Sequence, residues 1–377
     1  MRLHDAVQAG ARLALTLLMP AIVPGTVLSA QATWRLQEVA RIGGGDEGLA
    51  SFNDIRDLQF DAKGQIWVLD FQAKSLRLFA ADGTPIKEVA RAGRGPGEIA
   101  NSNGIRATTD GRLILRDHSN SWLATYSSDG KFVGQKLFPS FGYGYRIDAG
   151  IDRQGRFHEL VTQRIDTSYR GIIVRTTPDF ARNDTVVAPL PSACSPLPAP
   201  PNGIRGKNGF ASVPFAPRMI QTFGANGSYW CASTDEYRAR RFQFGAARHD
   251  LEVRLDVPRI AIPAAKRDSA IAGTEAFLQR IGGAVDPWDK GKVARDRGAL
   301  LGFEADDRDR LWVMRETRDG KAELDVWDAS GRRIATLAPG FRALSFPLMR
   351  IRGDRLALVQ LDEDDLPTIV IYRIVTQ

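Results

Sequence analysis

Oxygen-bearing side chains stand where short apolar runs end: Asp70, Asn103 and Asp117, with Asp235 further along. Carboxylate and amide oxygens brought together from several loops are what a hard cation such as Ca²⁺ requires. The spacing of these four does not single them out as a ligand set. The commoner use of Asp at the end of a strand is to accept backbone amides in its own turn, and that is the role expected of Asp70 and Asp117 taken singly.

Nucleophilic chemistry finds less support. The histidines are His4, His118, His158 and His249. A Ser–His–Asp set assembles in space, so spacing neither requires nor forbids one. A Gly-x-Ser-x-Gly nucleophile elbow is missing from the sequence. The run Gly93-Arg94-Gly95-Pro96-Gly97 is followed by Glu98 and Ile99. A phosphate cradle needs Lys and Ser/Thr after its last glycine and then a helix, so this run is turn chemistry. Two cysteines are too few for a disulfide framework or a four-cysteine zinc module. Cys194 and Cys231 would, in an oxidising compartment, form a disulfide closing 37 residues.

These residues are positioned by a repeat. Phe60 to Asp70, then Leu76 to Phe79, then Ala81-Asp82-Gly83, is copied by Thr109 to Asp117, Leu123 to Tyr126 and Ser128-Asp129-Gly130. Gly64 precedes Gly83, and Gly111 precedes Gly130, by the same 19 residues. Further copies begin near Asp152, Ala225, Asp306 and Arg352, which makes six. Asp-Gly pairs between alternating apolar strands mark tight hairpins, because the turn needs φ > 0. Four strands every 40–50 residues are propeller blades. The fold expected is all-β: a six-bladed β-propeller of four-stranded antiparallel blades. Trp34 to Ala40 is an orphan strand, and pairing it with the last blade would close the ring and cover free sheet edges.

Two longer gaps need insertions, expected at about 189–217 and 259–297. The first holds eight prolines and reads as a loop packed on the surface. The second loses the β pattern, and Ile271, Leu278 and Ile281 fall on a helical stripe ended by Gly282-Gly283.

Residues 1–32 read as a cleaved signal peptide. Arg2 and Arg12, with Asp5 between them, precede an apolar stretch from Leu13 that Pro20, Pro24 and Gly25 interrupt, and small residues follow at Ser29-Ala30-Gln31-Ala32. Residues 33–377 are then the propeller, expected outside the cytoplasm, periplasmic or secreted, as a monomer without a membrane span. The net charge of +7 is spread over single arginines without aromatic interleaving, so nucleic acid is not an expected partner.

The segment Gly93 to Ile99, then Gly104-Ile105, Asp110-Gly111 and Leu113 to Asp117, resembles an NHL-type repeat, and Phe52-Asn53-Asp54 through Asp70 is similar. The mature chain as a whole resembles exported bacterial six-bladed β-propeller proteins related to NHL repeats. That resemblance implies the fold and an extracytoplasmic binding role, and carries no single reaction.

Hairpin alternation places the glycine-rich loops and the ends of the second strands on one face. Asn53, Asp70, Asn103, Asp117, His118 and Arg146 are the candidate ligand-face residues there, where loops converge on a central channel. The expected function is binding of a protein, peptide or glycan partner, without catalysis and with no cofactor. The alternative is a metal-dependent hydrolase or lyase of the gluconolactonase-like propeller type, holding Ca²⁺ or another divalent metal at the channel mouth.

Overall fold

The computed structural model describes residues 34–45, 48–119, 121–138, 146–165, 168–187, 190, 194, 203–207, 209–282, 285–342, 344 and 348–376. The expected signal peptide therefore lies outside the described residues, as does most of the proline run before residue 203.

Six four-stranded antiparallel sheets form the six blades. Their inner strands are Ile55–Phe60, Ser102–Ala107, Ala149–Ile151, Met219–Gly224, Leu300–Ala305 and Met349–Arg352. Each inner strand packs on the next, and the sixth on the first, so the ring is closed around a central channel. The ring is closed by strand pairing: Trp34–Ile42 pairs with Pro367–Thr376 and supplies the outermost strand of blade six. This joins the two chain ends in one sheet and covers an edge that would otherwise be free.

In blades one, three and five the hairpin from the first to the second strand is built by one aspartate. Asp306 takes the amides of Arg308 and Arg310 on Oδ1, both at 2.9 Å. Its Oδ2 accepts from Arg310 Nε at 2.6 Å and from the Trp312 indole at 2.9 Å. Asp61 does the same for Lys63, Gln65 and Trp67. In blade three Asp152 holds Gln154 and Arg156, and His158 Nε2 stands 2.8 Å away in the tryptophan's place. The turn needs one left-handed residue; Gly64 (φ 76°) and Gly155 (φ 74°) supply it, and Asp309 (φ 59°) does so in blade five. These hairpins define one face of the disc, here the hairpin face. The loops entering each inner strand define the other, the loop face.

Between blades lie the cores. Trp67, Leu69 and Leu76 of blade one pack on Ile105, Leu113 and Leu115 of blade two. Trp230 and Ala239 meet Phe303 and Leu311 in the same way. Propeller sheets are buried on both faces, and their strands read accordingly as apolar runs.

The two insertions pack on each other. A 19-residue helix, Ala264–Gly282, seats Leu278 against Ile204, Val213 and Val293. Ile281, although on the expected stripe, is 40% exposed. The expected loop at 189–217 contains a hairpin, Gly203–Gly206 with Gly209–Ser212. The reason is local: the eight prolines lie at 189–201, 214 and 217, and the stretch 202–213 has none, so its ladder amides are intact. No helix among the described residues is long and apolar enough to cross a membrane.

Candidate functional site: the central channel

On the loop face, Asp70 and Asp117 occupy equivalent positions at the ends of second strands, and both are buried. Asp70 accepts from the amides of Asn53 (2.9 Å), Asp54 (3.3 Å) and Ala73 (3.0 Å). Asp117 accepts from the amides of Ala100 (2.8 Å) and Asn101 (3.2 Å). Each carboxylate thus fastens the incoming loop of its own blade. Asn53 has an exposed side chain outside that fastening. Asp235 pairs with Arg259 of the second insertion at 2.9 Å.

The other three candidates stand on the same face, each tied to a neighbouring loop. Arg146 reaches from blade three to donate Nε to the Arg56 carbonyl of blade one at 2.8 Å. The Asn103 carbonyl accepts the Ile147 amide at 3.1 Å, and the His118 amide bonds the Asn101 carbonyl at 3.1 Å. Arg56 pairs with Asp54 at 2.6 Å and lies over the Phe71 ring, 3.6 Å from its centroid. Arg116, almost wholly buried, meets Glu159 at 3.3 Å. Burial lowers the His118 pKa, and the Arg116 and Arg56 charges add to that against the pull of Asp117. The imidazole is accordingly neutral at pH 7 among cationic neighbours.

Deeper in the channel is a network that the candidate residues do not include. Asp57, fully buried on the blade-one inner strand, lies 2.6 Å from Arg106 of blade two and 2.6 Å from Arg350 of blade six. Arg350 also pairs with Glu304 of blade five at 3.1 Å. Arg106 donates Nε to the Ala149 carbonyl at 2.6 Å and Nη2 to the Ile147 carbonyl at 3.0 Å, both in blade three. Burial disfavours the Asp57 charge, but Arg350 and Arg106 overcome it and hold its pKa below the ordinary carboxylate value. For Glu304 burial wins over Arg350, and its pKa is raised. Removal of these groups from water is offset by short charge-assisted bonds, the condition under which buried ions persist.

A register argument would have found them. Two residues before the residue that opens each hairpin stand Gln59, Arg106, Gly150, Thr222, Glu304 and Arg350. All six line a chamber of about 220 Å³ on the hairpin side of the network. Two Arg and a Glu at one repeat position are the sequence mark of an axial polar site. Asp57 adds a charge one pleat further in.

No family model matches the sequence, and no curated protein does. Among solved structures, an exported protein from Bacteroides fragilis is similar at TM-score 0.52 and 11% identity, over 91% of this chain and 95% of that one. A member of the DUF4221 family from Bacteroides vulgatus is similar at TM-score 0.53 and 11% identity, over 92% and 100% of the two chains. A gluconolactonase from Xanthomonas campestris aligns over 92% and 91% at TM-score 0.44 and 14% identity, too distant to bear on chemistry. What the first two likenesses share with this chain is its architecture: it is a six-bladed β-propeller.

Proposed function

We propose that the protein is a non-catalytic, extracytoplasmic binding propeller whose loop face receives a protein, peptide or glycan partner. The observation that carries this is the approach of Arg56 and Arg116, from two blades, to His118, with Arg146 of a third blade seated on the Arg56 carbonyl. Cationic side chains brought together from several blades suit recognition of polar or acidic groups. The nearby carboxylates that a metal-dependent hydrolase or lyase would need are occupied: Asp70 and Asp117 accept backbone amides, and Asp57 lies between two guanidiniums. Export is supported by the N-terminal sequence and by the link between Cys194 and Cys231, whose Cα atoms are 5.4 Å apart.

The test is binding of the purified mature protein to glycan and peptide arrays, repeated with Arg146→Ser and His118→Ala. The reading requires a specific signal that falls at least tenfold in both variants. Signals indifferent to both substitutions would overturn it.

A further inference from the structure

The chamber on the hairpin face lies on the opposite side of the axial network from the loop-face mouth, and six blades contribute to its lining. Its axial charges are closed in pairs. Asp57 balances Arg106 and shares Arg350 with Glu304. At the rim, Arg153 pairs with Asp309 at 2.9 Å, tying blade three to blade five, while Asp307 accepts the Gly353 amide of blade six at 3.1 Å and Arg352 donates to the Phe60 carbonyl at 3.3 Å. The axial wall therefore has no spare charge. A charged group lodged there would have to break one of these pairs, at the cost of leaving its partner uncompensated in a dehydrated place.

What the chamber does offer is hydrogen-bonding valence. Gln59 brings an amide with two donors and an acceptor, and Thr222 a hydroxyl oxygen that keeps one lone pair while it bonds Glu304 and accepts the Ala305 amide at 3.5 Å. The Glu304 side chain remains 24% exposed while holding Arg350, and the Arg106 and Arg350 side chains each keep 11%. Ile151 and Phe223 supply apolar wall. Gly150 leaves its place empty for the Phe223 side chain, whose Cβ would lie 2.4 Å from any Cβ at that position. Donors and acceptors already neutralised in pairs suit a hydroxyl group, which can donate to a carboxylate and accept from a guanidinium at once. The volume of about 220 Å³ holds about seven waters at ~30 Å³ each, or one pyranose ring.

We propose that this chamber, lined by Gln59, Thr222, Glu304, Arg106 and Arg350, is a binding site for an uncharged polyhydroxylated ligand of monosaccharide size. The proposal rests on the binding role above and adds a second, opposite site of defined ligand class.

The test is saturation-transfer NMR with calorimetric titration on the mature protein. The probes are D-glucose, D-galactose, D-mannose and N-acetyl-D-glucosamine, with D-gluconate and D-glucosamine as charged counterparts. At least one neutral sugar is expected to bind saturably, at least tenfold more weakly in Gln59→Ala and in Thr222→Val, and its charged counterpart at least tenfold more weakly than itself. Neither substitution removes an ion pair, and circular dichroism confirms the fold of each. The proposal is overturned if no neutral sugar saturates, if the charged sugars bind equally well, or if both variants bind as the parent does. It is also overturned if the signal survives Gln59→Ala and is lost in Arg146→Ser, a result that would place the sugar on the loop face and leave the binding role standing.

Discussion

Asp57 and Arg350 are 293 residues apart in the chain and 2.6 Å apart in the fold. The bond crosses the seam between blades one and six, inside the ring, while the Trp34–Ile42 strand closes the same seam from outside. With Arg106 and Glu304 it links blades six, one, two and five across the axis, and the Arg106 bonds to blade-three carbonyls extend it. Removing one partner of such a network leaves a buried charge without its counterpart. Asp57→Ala is therefore expected to cost about 3–5 kcal/mol, against a small loss for an exposed pair such as Arg342–Asp365. Chemical denaturation measures both; equal small losses would contradict the bolt.

Asp306 and Asp328 build the same kind of hairpin in different surroundings. Asp306 is buried and also holds the Trp312 indole, whereas the Asp328 side chain is 23% exposed and holds turn amides, Ser330 and Arg332. Asp306→Ala is expected to destabilise by about 3 kcal/mol and Asp328→Ala by about 1 kcal/mol. Parity between them in denaturation would contradict the role given to the indole.

Asp57 lies between Arg106 and Arg350; burial disfavours its charge, but the two guanidiniums overcome this and hold its pKa below 3.8. A folded-state value below the unfolded one means that the group's contribution to stability is present above pH 3.8 and is lost as pH falls through the lowered folded value. The melting-temperature advantage of the parent over Asp57→Asn should accordingly be constant near pH 7 and shrink as pH falls below about 4. A difference that does not change with pH would contradict the assignment.

The Cys194–Cys231 link closes 37 residues and ties Cys194 to blade four, where Gln221 Nε2 also bonds the Cys194 carbonyl at 2.9 Å. Peptide mapping without reductant should recover the two cysteines joined in the purified protein. Replacing both by serine should cost about 3–4 kcal/mol. Free thiols in that map would contradict the assignment.

The blades were legible because hairpin chemistry is local. Asp61, Gly64 and Trp67 lie within seven residues, and the same grammar returns at Asp152 and Asp306. Ring closure by Trp34–Ile42 was legible for the same reason, as a strand without a neighbour in its own repeat. The axial network was not read, because its members meet only when blades one, two, five and six close a circle. Each alone is one charged residue in a short strand, and only their shared place before the hairpins marks them. The hairpin at Gly203–Ser212 was hidden by averaging prolines over a window wider than the element. On the loop face, Asp70 and Asp117 spend their oxygens on amides two strands' length away in sequence, at Asn53 and Ala100. Strand-end position alone does not distinguish an aspartate that holds a loop from one that holds a ligand.

The loop-face carboxylates decide between a binding protein and a metal-dependent enzyme. The direct measurement is calorimetric titration of Ca²⁺ and Zn²⁺ into metal-stripped mature protein, with elemental analysis of the protein as purified, for the parent, Asp70→Asn and Asp117→Asn. The amide-accepting geometry predicts no stoichiometric metal in the parent and heats unchanged by either substitution, each of which should instead lower the melting temperature. One equivalent of Ca²⁺ or Zn²⁺ bound by the parent and lost in either variant would contradict it.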